Sequence, residues 1–379
     1  MYARSRKIPH IPTIQMHAGY YCAHKPPAFD PIASSAFDAR SQLTPSRYGK
    51  KGAFDEQMKI LNEKGMHKSS HWGGEKREGR EITMDQFKEI CSIKVDGRKL
   101  IEKHPDKAEK YLKLINKAFL AMGIDTVETQ AMFLAQSMGE TGFYRLFTET
   151  QSPRNFYEDY PAKAPHSESE LKKVYPDQEV PKPGGKKGET MMVEHKHMRR
   201  FRRHNFDFIG RSGLQVTFSE NYQNSLAVLA YRAGQLRKEV MKTPDAGKEE
   251  QIKQIEAAIE AIGKDPRQAS NPEYGFLLSA AYAKIPAHAG REGGRKTGKN
   301  IFHEYGGIDR AHQFDPDSEA GFVNKGSHFM TGGNIKTTSK AYQKDVNGWA
   351  TTLRKKHAIF KKAVEVLRSK DPGHKCNMY

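Results

Sequence analysis

The sequence predicts a predominantly α-helical (α+β) domain with a small β-hairpin region and an irregular N-terminal extension. Apolar residues recur at helical spacing from residue 82 onwards. One aromatic, Thr-containing stretch, 143–150, lies between turn residues and is typical of a short strand. Residues 1–75 are rich in Pro, Gly, Ser, His and Lys without sustained periodicity, which predicts irregular structure with a short helix around 55–61.

The first helices are predicted between Ile82 and Gly142. One apolar stripe at helical spacing consists of Tyr111, Leu112, Ile115, Phe119 and Met122. Gly123 ends that helix, and Asp125 can cap the next one with Glu128 at the capping-box position. The buried face of this second helix is predicted to contain Val127, Ala131, Leu134 and Met138.

The second half of the chain predicts four further helices. Ser219 is a plausible cap for the first of them. The buried faces are predicted to comprise Tyr222, Leu226, Leu229 and Ala233; then Ile252, Ile255, Ile259 and Ile262; then most of 272–283; and finally Trp349, Leu353, Phe360, Val364 and Leu367. We therefore expect an irregular docking or wall-binding segment over 1–80 and one domain over 81–370, with insertions at about 161–205, 237–268 and 284–328.

The charge of the chain is strongly positive, with 63 Lys and Arg against 45 Asp and Glu, a formal net charge of +18. Such a field attracts polyanions: nucleic acid, anionic membranes or cell walls that bear carboxylates and phosphates. No nucleic-acid-binding motif is present, so a nucleic-acid partner is not favoured. The basic run 199–203 fits attraction to a wall or substrate slightly better than plain solvation.

The cysteines and the N-terminus set expectations about the compartment. Three widely spaced cysteines, Cys22, Cys91 and Cys376, form no zinc or CxxC pattern and fit synthesis in a reducing cytosol. No apolar run of signal-peptide or membrane-spanning length is present. We expect synthesis in the cytoplasm, and export, if it occurs, by a route other than a standard signal peptide.

The most informative stretch is FLAQSMGETGFYRLFTET, residues 133–150. Gln136 and Glu140 are four apart and share a helix face. Glu140 lies where the helix ends, between apolar neighbours that would favour the protonated acid that general acid catalysis requires. Glu149 follows on the predicted strand. A helix-end acid that faces a second acid across a cleft suits glycoside hydrolysis.

A second stretch, FIGRSGLQVTFSENY at 208–222, resembles the FRGRGLIQLTGRANY signature of family 19 glycoside hydrolases, the chitinases and related phage endolysins. The segment 115–150 is similar to the first helices of that family and to its FLAQxxHESGGFRYLEEN motif, and the two motifs occur in the family's order. Weaker similarities are NPEYGFLLSAAYA at 271–283 and MTGG at 330–333. The resemblance covers roughly 108–160, 206–235 and 270–365.

The resemblance implies roles for individual residues. Glu140 matches the catalytic acid, and Glu149 matches the base that activates water in an inverting reaction, with roughly 6.5–9.5 Å between the carboxylates. The implied sugar-binding residues are Gln136, Tyr144, Gln215, Thr217, Asn221 and Tyr222, and Arg354 matches loosely an Arg that contacts the second acid. No metal or cofactor is implied.

Three positions depart from the family pattern. The His that usually precedes the catalytic Glu is Gly139, the usual GRG is Gly210-Arg211-Ser212, and the Asn of the fourth motif is Thr331. The first change removes a hydrogen-bond partner from Glu140, and the third removes an amide from the cleft. Neither removes a carboxylate, so they bear on rate and substrate register more than on the class of reaction.

Other local patterns predict surface structure. GGRKTGKN at 293–300 ends in Asn300, where a phosphate-binding loop needs Ser or Thr. The histidines of 195–204 lie in a basic insertion without partner carboxylates or cysteines. The acids of 315–319 lack the remaining spacing of a calcium loop.

The resemblance implies a polymeric substrate that contains β-1,4-linked N-acetylglucosamine. Peptidoglycan glycan strands are favoured over chitin because of the short motif, the sparse cysteines and the positive charge. An endolysin released through holes in the membrane and an effector injected by a type VI secretion apparatus both remain open, with the effector slightly favoured. An effector would have a cognate immunity protein and a secretion-apparatus component as partners. A non-catalytic wall-binding protein and a basic nucleic-acid-binding protein are the alternatives from other classes.

Overall fold

The computed structural model describes residues 30–48, 51–66, 81–148, 178–181, 190–193, 208, 210–217, 219–285, 308, 311, 314–319, 322 and 349–369. This described part is mostly helical, which confirms the predominantly α prediction. The longer helices are α1 (Pro31–Gln42), α3 (Gly52–Lys64), α4 (Met84–Cys91), α5 (Val95–Lys103), α6 (Pro105–Met122), α7 (Val127–Thr141), α8 (Ser219–Lys242), α9 (Ala246–Lys264), α10 (Pro272–Ala283) and α11 (Trp349–Ser369). A single turn, α2 (Pro45–Tyr48), follows α1, and a 3₁₀ helix, Pro266–Ser270, precedes α10.

Helix α8 lies at the centre of the helical body. It packs against α1, α3, α9 and α10. Every residue from 222 to 231 is buried, so this part of α8 has no solvent-exposed face. The predicted stripes on α6, α8, α9, α10 and α11 are confirmed, because their described apolar residues all belong to one hydrophobic core or are buried beside it.

The helical body begins at Pro31, fifty residues before the predicted boundary. Helices α1 and α3 pack on α8, and the phenol of Tyr48 donates to the carbonyl of Ile262 at 2.7 Å. A Cβ on Gly234 of α8 would lie 2.5 Å from the Cα of Ile32, so the two helices approach closely there. Residues 31–66 are therefore part of the core, and so is most of the predicted insertion 237–268, which forms α9.

Local sequence explains where α6 and α7 begin and end. Pro105 occupies the first turn of α6, and Gly123 ends it in the left-handed conformation, with φ of 62°. The cap of α7 is Thr126, which forms a capping box with Thr129, one residue after the predicted Asp125 cap. Gly142 then ends α7, again left-handed, with φ of 58°.

The predicted strand over 143–150 is wrong for its described residues. Phe143 and Tyr144 have positive φ, 57° and 61°, and continue the turn that ends α7. Thr148 forms only an isolated bridge with Arg211. Two short strands, β1 (Gln178–Pro181) and β2 (Thr190–Val193), pair antiparallel elsewhere, within the predicted insertion 161–205.

Candidate active site

Glu140 lies in the last turn of α7, and its side chain is 25% exposed. The carbonyl groups at the C-terminal end of a helix carry partial negative charge, which opposes a carboxylate at this position. A compensating cation is therefore expected, and Lys356 of α11 provides it by donating from Nζ to Oε1 of Glu140. The ammonium side chain is only 1% exposed, so the water-accessible partner of the pair is the carboxylate.

Gly139 makes room for that lysine. A Cβ at this position would lie 2.5 Å from Cγ and 2.9 Å from Cε of Lys356. The stem of the lysine thus crosses the helix where any other residue at 139 would place its side chain. The absence of a side chain before Glu140 and the presence of Lys356 beside it are two parts of one arrangement.

Tyr282 of α10 is the third group in this region. Burial raises the pKa of its phenol, and the negative charge of Glu140 raises it further. The phenol is therefore neutral at physiological pH and lies close enough to Glu140 to interact with its charge. Helices α7 and α11 meet at the carboxyl, and α10 brings Tyr282 within electrostatic reach of it.

The segment 210–217 packs against the residues that follow Glu140. The amide of Ser212 donates to the carbonyl of Phe147 at 2.9 Å, and Nε2 of Gln215 donates to the carbonyl of Leu146 at 3.2 Å. Arg211 and Val216 exchange two backbone hydrogen bonds, which closes 210–217 into a tight loop. The two segments that carry the family resemblance are thus joined directly.

Helix α10 supports the same loop from the other side. Its Ser279 donates to the hydroxyl of Ser212 at 2.8 Å and accepts from the amide of Leu214 at 3.1 Å. A Cβ on Gly213 would contact Oγ of Ser279 at 3.3 Å, so a small residue is favoured there. The weaker similarity at 271–283 therefore contacts the segment 210–217 through Ser279. The MTGG similarity at 330–333 lies outside the described residues.

Two of the predicted sugar-binding residues lie in the core instead. Tyr144 and Tyr222 are both 0% exposed. The hydroxyl of Tyr144 pairs with Oγ of Ser137 at 2.8 Å, and the ring of Tyr222 packs edge-on against Phe208 with centroids 5.2 Å apart. In these positions both rings stabilise the fold, and neither can contact a polymer, because both are fully buried. The resemblance and the sequence positions gave no information on the direction of the two side chains.

Gln136, one turn before Glu140, is also buried, with 1% of its surface exposed. Its Nε2 donates to the sulfur of Met132 at 3.6 Å, a weak acceptor. Its Oε1 finds no hydrogen-bond partner among the described residues. An unsatisfied buried oxygen costs free energy, so this amide is held in place by packing rather than by hydrogen bonds.

The remaining predicted contacts lie nearer the surface. Gln215, Thr217 and Asn221 are half-buried. Gln215 has a positive φ of 50°, and its amide holds the backbone of the loop, so it acts first as a structural residue. Arg354 is exposed and pairs with Glu319, with Nε and Oε1 3.3 Å apart. Glu149 lies outside the described residues, so the distance between the two acids is not defined.

Sequence reasoning missed Lys356 and Tyr282. A signal for the lysine was present: Lys356 falls between Leu353 and Phe360 at the spacing of the buried face of the last helix. A lysine on an apolar face needs a buried acceptor, and a Gly-Glu pair at a helix end is where one could be sought. Tyr282 had no comparable signal, because its helix is apolar on all sides.

Other chemistry is limited in the described residues. The thiol of Cys91 is buried, which raises its pKa to about 12 and makes it unreactive. Within the described ranges no group of three His, Cys, Asp or Glu side chains could hold a metal ion. None of the helices described is both long and apolar enough to cross a membrane.

Comparison of the chain with protein-family models, with curated proteins and with solved structures finds no match. Function must therefore be inferred from the residues and their placement.

Proposed function

We propose that this protein is a lysozyme-like glycoside hydrolase, with an α+β domain of that type, which cleaves β-1,4 bonds of peptidoglycan glycan strands by general acid/base catalysis. The observation that carries the proposal is the connection of these segments to the end of α7. The Glu140 carboxyl ends a buried helix and reaches solvent, segment 143–148 follows it, segment 210–217 hydrogen-bonds to Leu146 and Phe147, and α10 hydrogen-bonds to 210–217. These are the segments that resemble family 19 glycoside hydrolases, although they lie far apart in the sequence.

In this proposal Glu140 protonates the glycosidic oxygen and Glu149 activates the attacking water. Two carboxyl groups are sufficient for this chemistry, and no metal or cofactor takes part. Thr217 and Asn221 are half-buried near the start of α8, so in this proposal they are the residues that hydrogen-bond sugar hydroxyls. Gln215 positions the loop that precedes them.

The distribution of charge supports an anionic substrate such as a bacterial wall. The described residues contain 31 Lys and Arg against 29 Asp and Glu, whereas the rest of the chain contains 32 against 16. The helical body is therefore nearly neutral, and the excess positive charge lies in the other segments, including 199–203. Charges of this kind raise the local concentration of a polyanion without taking part in bond cleavage.

We propose that the enzyme acts in the periplasm or wall of a target or host bacterium, as an antibacterial effector or an endolysin. An effector would need an immunity protein in the producing cell, and a protein that covers Glu140 would inhibit the enzyme. In this proposal residues 1–30, which precede the helical body in the sequence, serve to dock onto a secretion apparatus or to bind the wall.

A second candidate function is non-catalytic wall binding. The observation that favours it is the ion pair itself, since a neighbouring ammonium stabilises the ionised carboxylate over the protonated acid. Such a protein would bind sacculi and leave them intact.

The test is mass analysis of the products that the purified chain releases from peptidoglycan sacculi. Wild type, Glu140→Gln and Glu149→Gln are compared, with chitin oligosaccharides as a second substrate. Reducing muramic acid ends identify a muramidase, and reducing glucosamine ends identify cleavage of the other bond. Binding without released fragments would favour the non-catalytic candidate, and free peptides would contradict the glycosidase.

A further inference from the structure

Lys356 is a buried amine, and Glu140 is its hydrogen-bond partner among the described residues. The residue is 0% exposed, and its Nζ donates to Oε1 of Glu140. Burial disfavours an ammonium ion, because water no longer solvates it. Its charge is therefore stabilised by Glu140, and the charge of Glu140 by Lys356 and by the water that reaches its 25% exposed side chain.

The contact between Nζ of Lys356 and Oε1 of Glu140 allows one proton to lie on either group. In the ionic form the proton is on Nζ of Lys356, and in the neutral form it is on Glu140. The ionic form depends on solvation, and the desolvation penalty of an ion pair rises as water is removed. A sugar that covers Glu140 removes the water from its exposed side, which favours the neutral form, an amine beside a carboxylic acid.

On the basis of the proposed function, we propose that Lys356 is a positioning residue that stores the proton which Glu140 delivers to the glycosidic oxygen. When substrate binds, the proton passes from Nζ of Lys356 to Glu140 and then to the leaving oxygen as the glycosidic bond breaks. Water adds its hydroxyl to the anomeric carbon, and its other proton goes to the base or to solvent. Lys356 is left as a neutral amine, and a proton from solvent restores it.

This arrangement accounts for Gly139. The family pattern places a His at this position, next to the catalytic acid, and this chain has no side chain there. The stem of Lys356 occupies that space, since a Cβ at 139 would lie 2.5 Å from its Cγ. The glycine at 139 leaves Glu140 without a partner on α7, and Lys356 supplies a partner from α11.

Several other titratable groups near the pair, among the described residues, have partners or remain neutral. Tyr282 of α10 stays neutral, because burial and the charge of Glu140 raise its pKa. His357, adjacent in sequence, contacts the carbonyl of Pro316 through Nε2 at 2.9 Å. On the neighbouring turns of α11, Arg354 pairs with Glu319, and Lys362 donates to Glu89 of α4 at 3.0 Å.

The experiment compares wild type, Lys356→Met, Lys356→Arg and Gly139→Ala in the full chain, with kcat and KM measured on sacculi as a function of pH. Methionine keeps an unbranched stem without an amine. Arginine keeps the charge but does not release its proton. Alanine at 139 displaces the stem and changes no charge. Thermal unfolding identifies variants that fail to fold.

We expect Lys356→Met to lower kcat at least about tenfold near neutral pH with little change in KM. The loss should not exceed the contribution typical of general acid catalysis, about 10²–10⁴-fold. The loss should shrink as the pH falls, because Glu140 then takes its proton directly from water. The alkaline limb of the profile therefore moves to lower pH. Gly139→Ala should shift the profile in the same direction, and Lys356→Arg should not restore the rate.

A loss that is equal at every pH, or full activity in the folded Lys356→Arg variant, would overturn the proton-storage role. If the Lys356→Arg variant does not fold, the pH dependence of kcat in Lys356→Met decides whether Lys356 stores the proton. The failure of the proposed function is a separate result: wild type then releases no glycan fragments at any pH. An active wild type with an inactive Glu140→Gln and an unaffected Lys356→Met contradicts this inference alone.

Discussion

Helices α7 and α11 are joined by an ion pair at each end, and the two pairs are built in opposite ways. At the start of α7, Glu128 is the buried partner, 8% exposed, and Arg368 is the exposed one, at 49%, with Oε1 and Nη2 2.8 Å apart. At the end of α7, Lys356 is buried at 1%, and Glu140 is 25% exposed.

The difference separates a structural pair from a candidate catalytic one. A carboxylate in the first turn of a helix is stabilised by the helix dipole, so Glu128 has two favourable interactions. Glu140 lies at the end where the dipole opposes its charge, and its cation requires a glycine at 139 to fit. Packing accounts for the first pair, whereas the second places a carboxylate at the surface against the local field, which is expected of a functional group.

The largest expected effect distinguishes the two glutamates by activity. Glu140→Gln should lower the release of glycan fragments by at least about 100-fold, because the amide cannot deliver a proton. Glu128→Gln, a matched change on the same helix, should retain activity within about twofold when the protein is folded, since it touches no reacting group. Reducing-end assays on sacculi measure the activity of both variants. Equal losses would show that activity depends on the packing of α7 against α11 and not on the carboxyl of Glu140.

The next effect is on the free energy of unfolding. At the start of α7 the loss of the cation should cost more than the loss of the anion, and at the end of α7 the order should be reversed. Arg368→Met leaves the buried Glu128 without its cation and should cost about 2 kcal/mol, more than Glu128→Gln. Glu140→Gln leaves the buried Lys356 without an anion and should also cost about 2 kcal/mol, whereas Lys356→Met should cost less than about 1 kcal/mol. Urea unfolding of the four variants checks this, and the same order at both ends would contradict the burial argument.

A smaller effect compares the caps of α7. Thr126→Ala removes the capping box and should cost about 1 kcal/mol without affecting the activity of the folded protein. Gly142→Ala should cost a similar amount, about 1 kcal/mol, because φ is 58° there. This second change should also lower activity, since it disturbs the turn that follows Glu140. Equal losses of activity in Thr126→Ala and Gly142→Ala would contradict a special role for the end of α7 that carries Glu140.

The smallest effect concerns Glu256 of α9, whose pKa is raised by burial and by Asp38, against the influence of its partner Arg237. A carboxyl with a raised pKa in the folded state binds its proton more tightly there, so stability falls as the pH rises through and above its ordinary value. The Tm of Glu256→Gln relative to wild type should therefore rise slightly from about pH 4 to 7. Activity should be unaffected, since a raised pKa alone does not mark a catalytic residue.

The helices could be predicted because their signals are local. The stripes from Tyr111 to Met122 and from Ile252 to Ile262 have the helical period, and Gly123 and Gly142 mark helix ends by their backbone freedom. Signals without a period were less informative. The aromatic run after Gly142 was predicted to be a strand, but it forms a turn, because Phe143 and Tyr144 take positive φ and bury their rings.

The N-terminal boundary shows the same limit. Helix α1 has no strong apolar stripe, and its buried residues include Pro31, Ser35 and Ala39. Small residues allow close packing on α8 but give little hydrophobic signal in a sequence. The fit against Gly234, where a Cβ would lie 2.5 Å from Ile32, exists only when the two helices meet.

The sequence by itself determined the main helices after residue 82 and that Glu140 stands at the end of one, because both follow from interactions within a few residues. Only the tertiary structure decided what surrounds that carboxyl. Lys356 is 216 residues away, and its contact with Glu140 depends on how α11 packs along α7. Burial likewise moved Tyr144 and Tyr222 from predicted sugar contacts into the core, since the direction of a side chain is fixed by packing and not by its spacing from a catalytic residue.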